Sequence, residues 1–162
     1  MTKHELRKLL KAKRLSLSQE ERWDKSRAIL ARLHDVTDWD KVGAVHTFEP
    51  LIELGEVDIS GFVDHDELFT SRNIDEEWQM VAYRGGTPIP KHFDVIIVPM
   101  LGFDNTLHRL GYGAGFYDKF LATQPKAKKI GVCFEIGHVE LIPAESHDIA
   151  LDMVITESKI YT

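Results

Sequence analysis

Cysteine is almost absent from this sequence: the lone Cys133 excludes an intrachain disulfide framework and suits a reducing compartment. It follows an apolar run, where a buried and inert thiol is expected. Long hydrophobic stretches are missing as well. None approaches the roughly 20 residues of a membrane span, and the basic start has no apolar signal core behind it. A cytoplasmic protein with no membrane partner is therefore expected. Positive charge is in short supply: the formal net charge is −6, which argues against nucleic acid as a partner. None of the 8 histidines shows i, i+4 spacing on a helix or joins a Cys/His cluster, so no zinc site is expected. The Gly-x-Ser-x-Gly elbow of serine hydrolases is missing too.

What is present suits a single domain over residues 1–162, with 43% hydrophobic and 28% charged residues and no repeat or long linker. Leu6, Leu9 and Leu10 give residues 4–15 a narrow helical stripe. Ser18 and Glu21 read as a capping box opening a second helix to about residue 33, with Trp23, Ile29, Leu30 and Leu33 as core candidates. Residues 42–48 read as a buried strand, 59–66 as a short helix, and 68–70 and 78–83 as short strands. Residues 84–90 are loop by composition. The run 94–99 is the clearest buried strand, stopped by Pro99. A helix over 116–123 and strands over 129–134 and 153–156 complete an α/β pattern with a largely parallel sheet.

Chemistry concentrates in residues 109–118. Gly111, Gly113 and Gly115 alternate there, and absent side chains let backbone amides approach an anion closely. Arg109 at the loop entrance can fork onto phosphate oxygens. A tight turn packing helix against sheet is the plainer reading of three glycines alone, and the Gly-Lys-Ser/Thr ending of a Walker loop is missing. Asp118 lies just beyond the loop, where a carboxylate beside phosphates calls for a divalent cation such as magnesium; helix-dipole compensation is its bland role. Asp104 and Asp152 lie at the edges of apolar runs and are weaker candidates. Lys3, Arg7 and Arg14 share one face of the first helix, as a phosphate site or as a solvated charged face.

The block Val98-Pro99-Met100-Leu101-Gly102-Phe103-Asp104, running into RLGYGAGFYD over 109–118, resembles the 5-formyltetrahydrofolate cyclo-ligase (methenyltetrahydrofolate synthetase) family, whose pattern reads VPGLAFD and RLGYGGGYYD. The basic opening helix with Lys3 and Arg7, the segment Glu56-Val57-Asp58 and the closing stretch 147–156 are similar to the family in the expected order. The resemblance implies a three-layer α/β sandwich shared with sugar-phosphate isomerases and CoA transferases. It implies ATP held by Lys3, Arg7, Arg109, Leu110, Gly111, Tyr112, Gly113, Ala114, Gly115, Phe116 and Tyr117, with Arg109 and Tyr117 catalytic. It implies Mg2+ on Asp118 and Asp152, and a reduced folate facing Glu56 and Asp58, with Glu53, Phe48 and Tyr112 as neighbours. The implied reaction is ATP-driven closure of 5-formyltetrahydrofolate to 5,10-methenyltetrahydrofolate by a monomer or weak homodimer. A non-catalytic folate- or nucleotide-binding paralogue and a sugar-phosphate or CoA enzyme on the same fold remain open. Departures from the family pattern are a shortened stretch between Phe69 and Phe93, Leu107 and Ala114 at family glycines, Lys119 at an arginine and Gly137 at a glutamine.

Overall fold

The computed structural model describes residues 1–62 and 65–162. Two helices open the chain, α1 (Lys3–Ser16) and α2 (Gln19–Asp35), each started by a full capping box, Thr2 with Glu5 and Ser18 with Glu21. Then come β1 (Val45–His46), the hairpin of β2 (Leu68–Ile74) and β3 (Glu77–Ala82), and β4 (Val95–Pro99). The two-residue strands β5 (Gly102–Phe103) and β6 (Arg109–Leu110) lead to α3 (Phe116–Ala122), β7 (Lys128–Val132), β8 (Met153–Ile155) and β9 (Ile160–Tyr161).

Seven strands form one sheet in the order β3-β2-β1-β4-β7-β8-β9. The five inner strands are parallel, and β3 and β9 close the edges antiparallel. The continuous apolar run of β4 follows from burial on both faces. Ile97 packs with Ile29 and Leu33 of α2, while Ile96 and Val98 pack with Leu121 of α3. Helix, sheet and helix make the expected three-layer α/β sandwich. The first helix joins neither layer: Leu6 and Leu10 seat it on Leu101, Leu110 and Ile142, beside the carboxyl end of β4.

Three expectations are corrected. Residues 59–62 form a turn closed by Phe62 N–H on the Ile59 carbonyl at 2.8 Å, not a helix; residues 63 and 64 of that expected helix lie outside the described residues. Trp23 is 50% exposed, because the inner face of α2 at that level is taken by Ser26, whose Oγ accepts the Asp58 amide at 3.0 Å. Leu9 is 38% exposed on the outer flank of α1. The strands expected at 68–70 and 78–83 lengthen into one hairpin. Its tip, Asp75-Glu76, takes positive φ at both residues (52° and 66°), a left-handed turn that Gly usually fills. Among the described residues no helix is long and apolar enough to cross a membrane.

Candidate functional site

From β1 the chain crosses to β2 on one side, while β4 and β7 continue on the other. The crevice outside the carboxyl ends of β1 and β4 is therefore a topological switch point, the usual ligand position in open α/β sheets. The segment leaving β1 carries Phe48, Glu53, Glu56 and Asp58, and the segment leaving β4 leads to the glycine loop.

The loop owes its shape to two glycines in the left-handed region, Gly113 (φ 101°) and Gly115 (φ 71°), where a side chain is strained. Arg7 reaches under it: Nε donates to the Gly111 carbonyl at 2.9 Å, and a β-carbon on Gly113 would stand 3.4 Å from its Cζ. Upstream, Asp104 is fully buried and caps the turn, accepting from Thr106 N, His108 N and Ile142 N. Burial pushes its carboxyl up, but the hydrogen bonds outweigh this and hold it below the usual range. Asp104 is thus a structural cap. Leu107, at a family glycine, keeps the left-handed conformation with φ 61°.

The charged groups of the site are paired with one another. Arg109, its side chain 6% exposed, donates to Asp118 Oδ1 at 2.7 Å and to the Ile149 carbonyl at 3.1 Å. Lys3 Nζ donates to Asp148 Oδ2 at 2.6 Å and Glu145 Oε2 at 3.3 Å. Burial lowers the Lys3 pKa, and these partners more than reverse it. One ligand atom each of Asp118, His147 and Asp148 lies within 4.8 Å of the others. Asp152 is not brought to this group. Its Oδ2 accepts the Lys129 amide at 2.7 Å, at the amino end of the parallel strands, because residues 149–151 run the height of the sheet before β8 begins.

The floor of the crevice is polar and buried. Glu56 is buried, and its Oε2 accepts the Leu51 amide at 2.8 Å. Arg14, 5% exposed, donates to the Tyr112 hydroxyl and to the Met100 carbonyl (3.4 Å), and its guanidinium lies 5.5 Å from the Tyr112 ring centre. Tyr112 in turn interacts with the Glu56 carboxylate. Burial raises the Glu56 pKa, and the Leu51 amide, Tyr112 and Arg14 only partly offset that rise. Burial also raises the phenols of Tyr112 and Tyr117.

The expected site residues therefore sort by place. Lys3, Arg7, Arg109, Asp118, Glu56 and the loop residues Gly111, Tyr112, Gly113, Ala114 and Gly115 surround the crevice. Leu110 is buried under α1, and Tyr117 packs its ring 5.0 Å from that of Phe116. Phe48 belongs to the core on the α2 face, Glu53 is exposed on the short turn Ile52–Leu54, and Asp58 caps Ser60 beside α2. Arg14 was visible only as the third basic residue of one helical face; its position on Tyr112 is tertiary. Asp148, which the structure brings to Lys3, Asp118 and His147, is not among the sequence candidates. Cys133 is buried as expected, its thiol pushed up to about 12 by burial.

Fold and crevice together define a class: a three-layer α/β protein whose switch-point crevice is rimmed by a glycine loop and a basic helix. A profile of the 5-formyltetrahydrofolate cyclo-ligase family matches residues 76–157. The chain belongs to that family. It is 31% identical over 136 residues to the 5-formyltetrahydrofolate cyclo-ligase of Mycolicibacterium smegmatis, covering 72% of this chain and 68% of that protein. The match to the Escherichia coli cyclo-ligase is 40% identical over 70 residues, and spans only 38% of that protein's length. Two solved structures superpose with a TM-score of 0.82. The 5,10-methenyltetrahydrofolate synthetase of Mycoplasma pneumoniae is 26% identical, with 97% of this chain and 99% of that chain covered. The Aquifex aeolicus synthetase, solved by NMR, is 29% identical, with 99% and 92% covered.

Proposed function

We propose that this chain closes 5-formyltetrahydrofolate to 5,10-methenyltetrahydrofolate at the expense of ATP, releasing ADP and phosphate. One observation carries the reading: Tyr112 of the glycine loop accepts from the buried Arg14 of the basic first helix, with the buried Glu56 close by, so an anion-binding loop, a basic helix and a carboxylate share one crevice. Membership of the family and the names of its relatives agree with it.

Phosphoryl transfer asks the protein mainly for positioning and charge neutralisation. Arg109, Lys3 and the amides of 111–115 supply both for the triphosphate, while Arg7 supports the loop from below. The formyl oxygen bonds to the γ-phosphorus as the bond to the bridging oxygen breaks, and ADP leaves. The neighbouring secondary amine then bonds to the activated carbon, loses its proton, and the carbon–oxygen bond breaks to release phosphate. Glu56 faces this step: a buried carboxylate whose pKa burial raises is a stronger base and takes the amine proton. No protein nucleophile is needed.

Asp118 and Asp148 offer the hard oxygen donors that magnesium prefers, and the His147 nitrogen suits it less. Bound there beside phosphate oxygens, the ion would supply charge neutralisation. Asp152 does not sit with them.

The test follows the near-ultraviolet absorbance of methenyltetrahydrofolate formed from 5-formyltetrahydrofolate with and without Mg-ATP. ATP-dependent product is expected, and Arg109→Ala lowers kcat/KM for ATP by about a hundredfold, the scale of losing a transition-state charge contact. ATP binding without product points instead to a non-catalytic paralogue. An unchanged Arg109→Ala enzyme removes the loop from the mechanism.

A further inference from the structure

The two halves of the crevice differ in chemistry. On the side of β8 stand the cations and carboxylates: Lys3, Arg109, Asp118 and Asp148. On the side of β1 and β2 large apolar residues stand exposed among charged ones. The turn after β1 exposes Leu51 (45%), Ile52 (41%) and Leu54 (42%), and β3 exposes Trp78 (51%).

Trp78 is held in place. β2 pairs with β1 only at Leu68 and Phe69, so the outer half of the β2–β3 hairpin extends beyond the parallel strands. Arg72 ties that arm to Glu49, just past the end of β1. At the far side the Trp78 ring meets Phe116, the first residue of α3, with centroids 4.6 Å apart and planes 31° apart. Phe116 stacks in turn on Phe120, and Phe120 meets the buried His46 at a tilt, with planes 55° apart. An indole half open to solvent is thus braced against the residue that follows the glycine loop. What sets it apart from the equally exposed Trp23 is the brace on Phe116, and a fixed aromatic face is a low-entropy platform for a flat ligand.

We infer that Trp78 is a specificity-determining residue of the site, stacking on the planar ring system of the reduced-folate substrate while Phe116 fixes its angle. The inference rests on the cyclo-ligase reading. The choice of ring follows from the two halves: the triphosphate belongs among the cations on the β8 side, and its acceptor then approaches from the β1–β2 side, where Trp78 and Leu51 expose apolar surface. The adenine ring is the competing occupant.

The experiment compares wild type, Trp78→Phe and Trp78→Ala in two readouts: calorimetric binding of 5-formyltetrahydrofolate without nucleotide, and KM for each substrate. Trp78→Ala is expected to weaken folate binding and raise folate KM by about five- to tenfold, the scale of one aromatic pair, with ATP KM unchanged. Trp78→Phe, which keeps a stacking face, restores most of the loss. Folate binding unchanged in Trp78→Ala overturns the inference, and a rise in ATP KM alone hands the platform to adenine. Folate binding that depends on Trp78, in a chain that forms no product, supports the platform and contradicts the proposed reaction. Product formation with Trp78-independent binding does the reverse.

Discussion

His46 shows what one side chain can do to the pH response of a fold. It is fully buried on β1, ringed by Phe93, Phe120 and Tyr117, with Nε2 2.9 Å from Ser71 Oγ and Nδ1 without a partner among the described residues. Burial lowers its pKa from 6.5 to about 3, so the folded protein holds the neutral ring while the unfolded chain takes up a proton. The sign is therefore fixed: stability is full above pH 6.5 and falls as the pH drops toward 3. By pH 5 the loss is about 2 kcal/mol from this group alone. Urea denaturation at pH 7.5 and pH 5 checks this, and His46→Phe should flatten the difference between the two. A wild-type midpoint unchanged between those pH values would contradict the assignment. The sequence reads 42–48 as a buried strand but does not show which neighbours ring His46, one histidine among 8. Only the sheet order shows that β1 lies in the middle, between two helical layers.

Elements repeat the lesson with more of it visible beforehand. The capping box at Ser18, the buried strand at 94–99 and the loop at 109–118 were readable because each is local: short-range hydrogen bonds, an apolar run, glycines at fixed offsets. The partners of the charged groups were not. Lys3 and Asp148 stand 145 residues apart, and no local pattern joins them. The resemblance placed Asp152 with Asp118 as a metal ligand, and a carboxylate at a strand edge does not announce which end of the sheet it occupies. The structure puts Asp118 between Arg109 and the Asp148–His147 group. Asp118→Asn should then raise the magnesium concentration needed for half-maximal turnover by about tenfold, the scale of losing one charged ligand, while folate binding stays intact. Asp152→Asn, whose carboxylate already accepts the Lys129 amide, should leave the magnesium titration unmoved and lower thermal stability instead. If the two variants exchanged these behaviours, the metal would belong with Asp152.

At the scale of the molecule, a switch point between β1 and β4 collects parts that the sequence scatters over its whole length. Arg7 and Arg14 come from α1, Glu56 from the segment after β1, Trp78 from the edge hairpin, and the glycine loop from beyond β4. The alternation of helices and apolar strands foretold the layers. It could not foretell that α1 leaves the layers to cover the carboxyl end of β4, which is what carries its basic face to the loop. The family block supplied the reaction to be tested, and the bond from Arg14 to Tyr112 ties the first helix to the glycine loop. The most direct measurement is ATP-dependent formation of methenyltetrahydrofolate by wild type and Glu56→Gln at equal, verified folding. The account predicts Mg-ATP-dependent product from the wild type, and a loss of kcat of about a hundredfold or more in Glu56→Gln, with ATP affinity retained. Turnover in Glu56→Gln equal to wild type, or no product from the wild type, would contradict it.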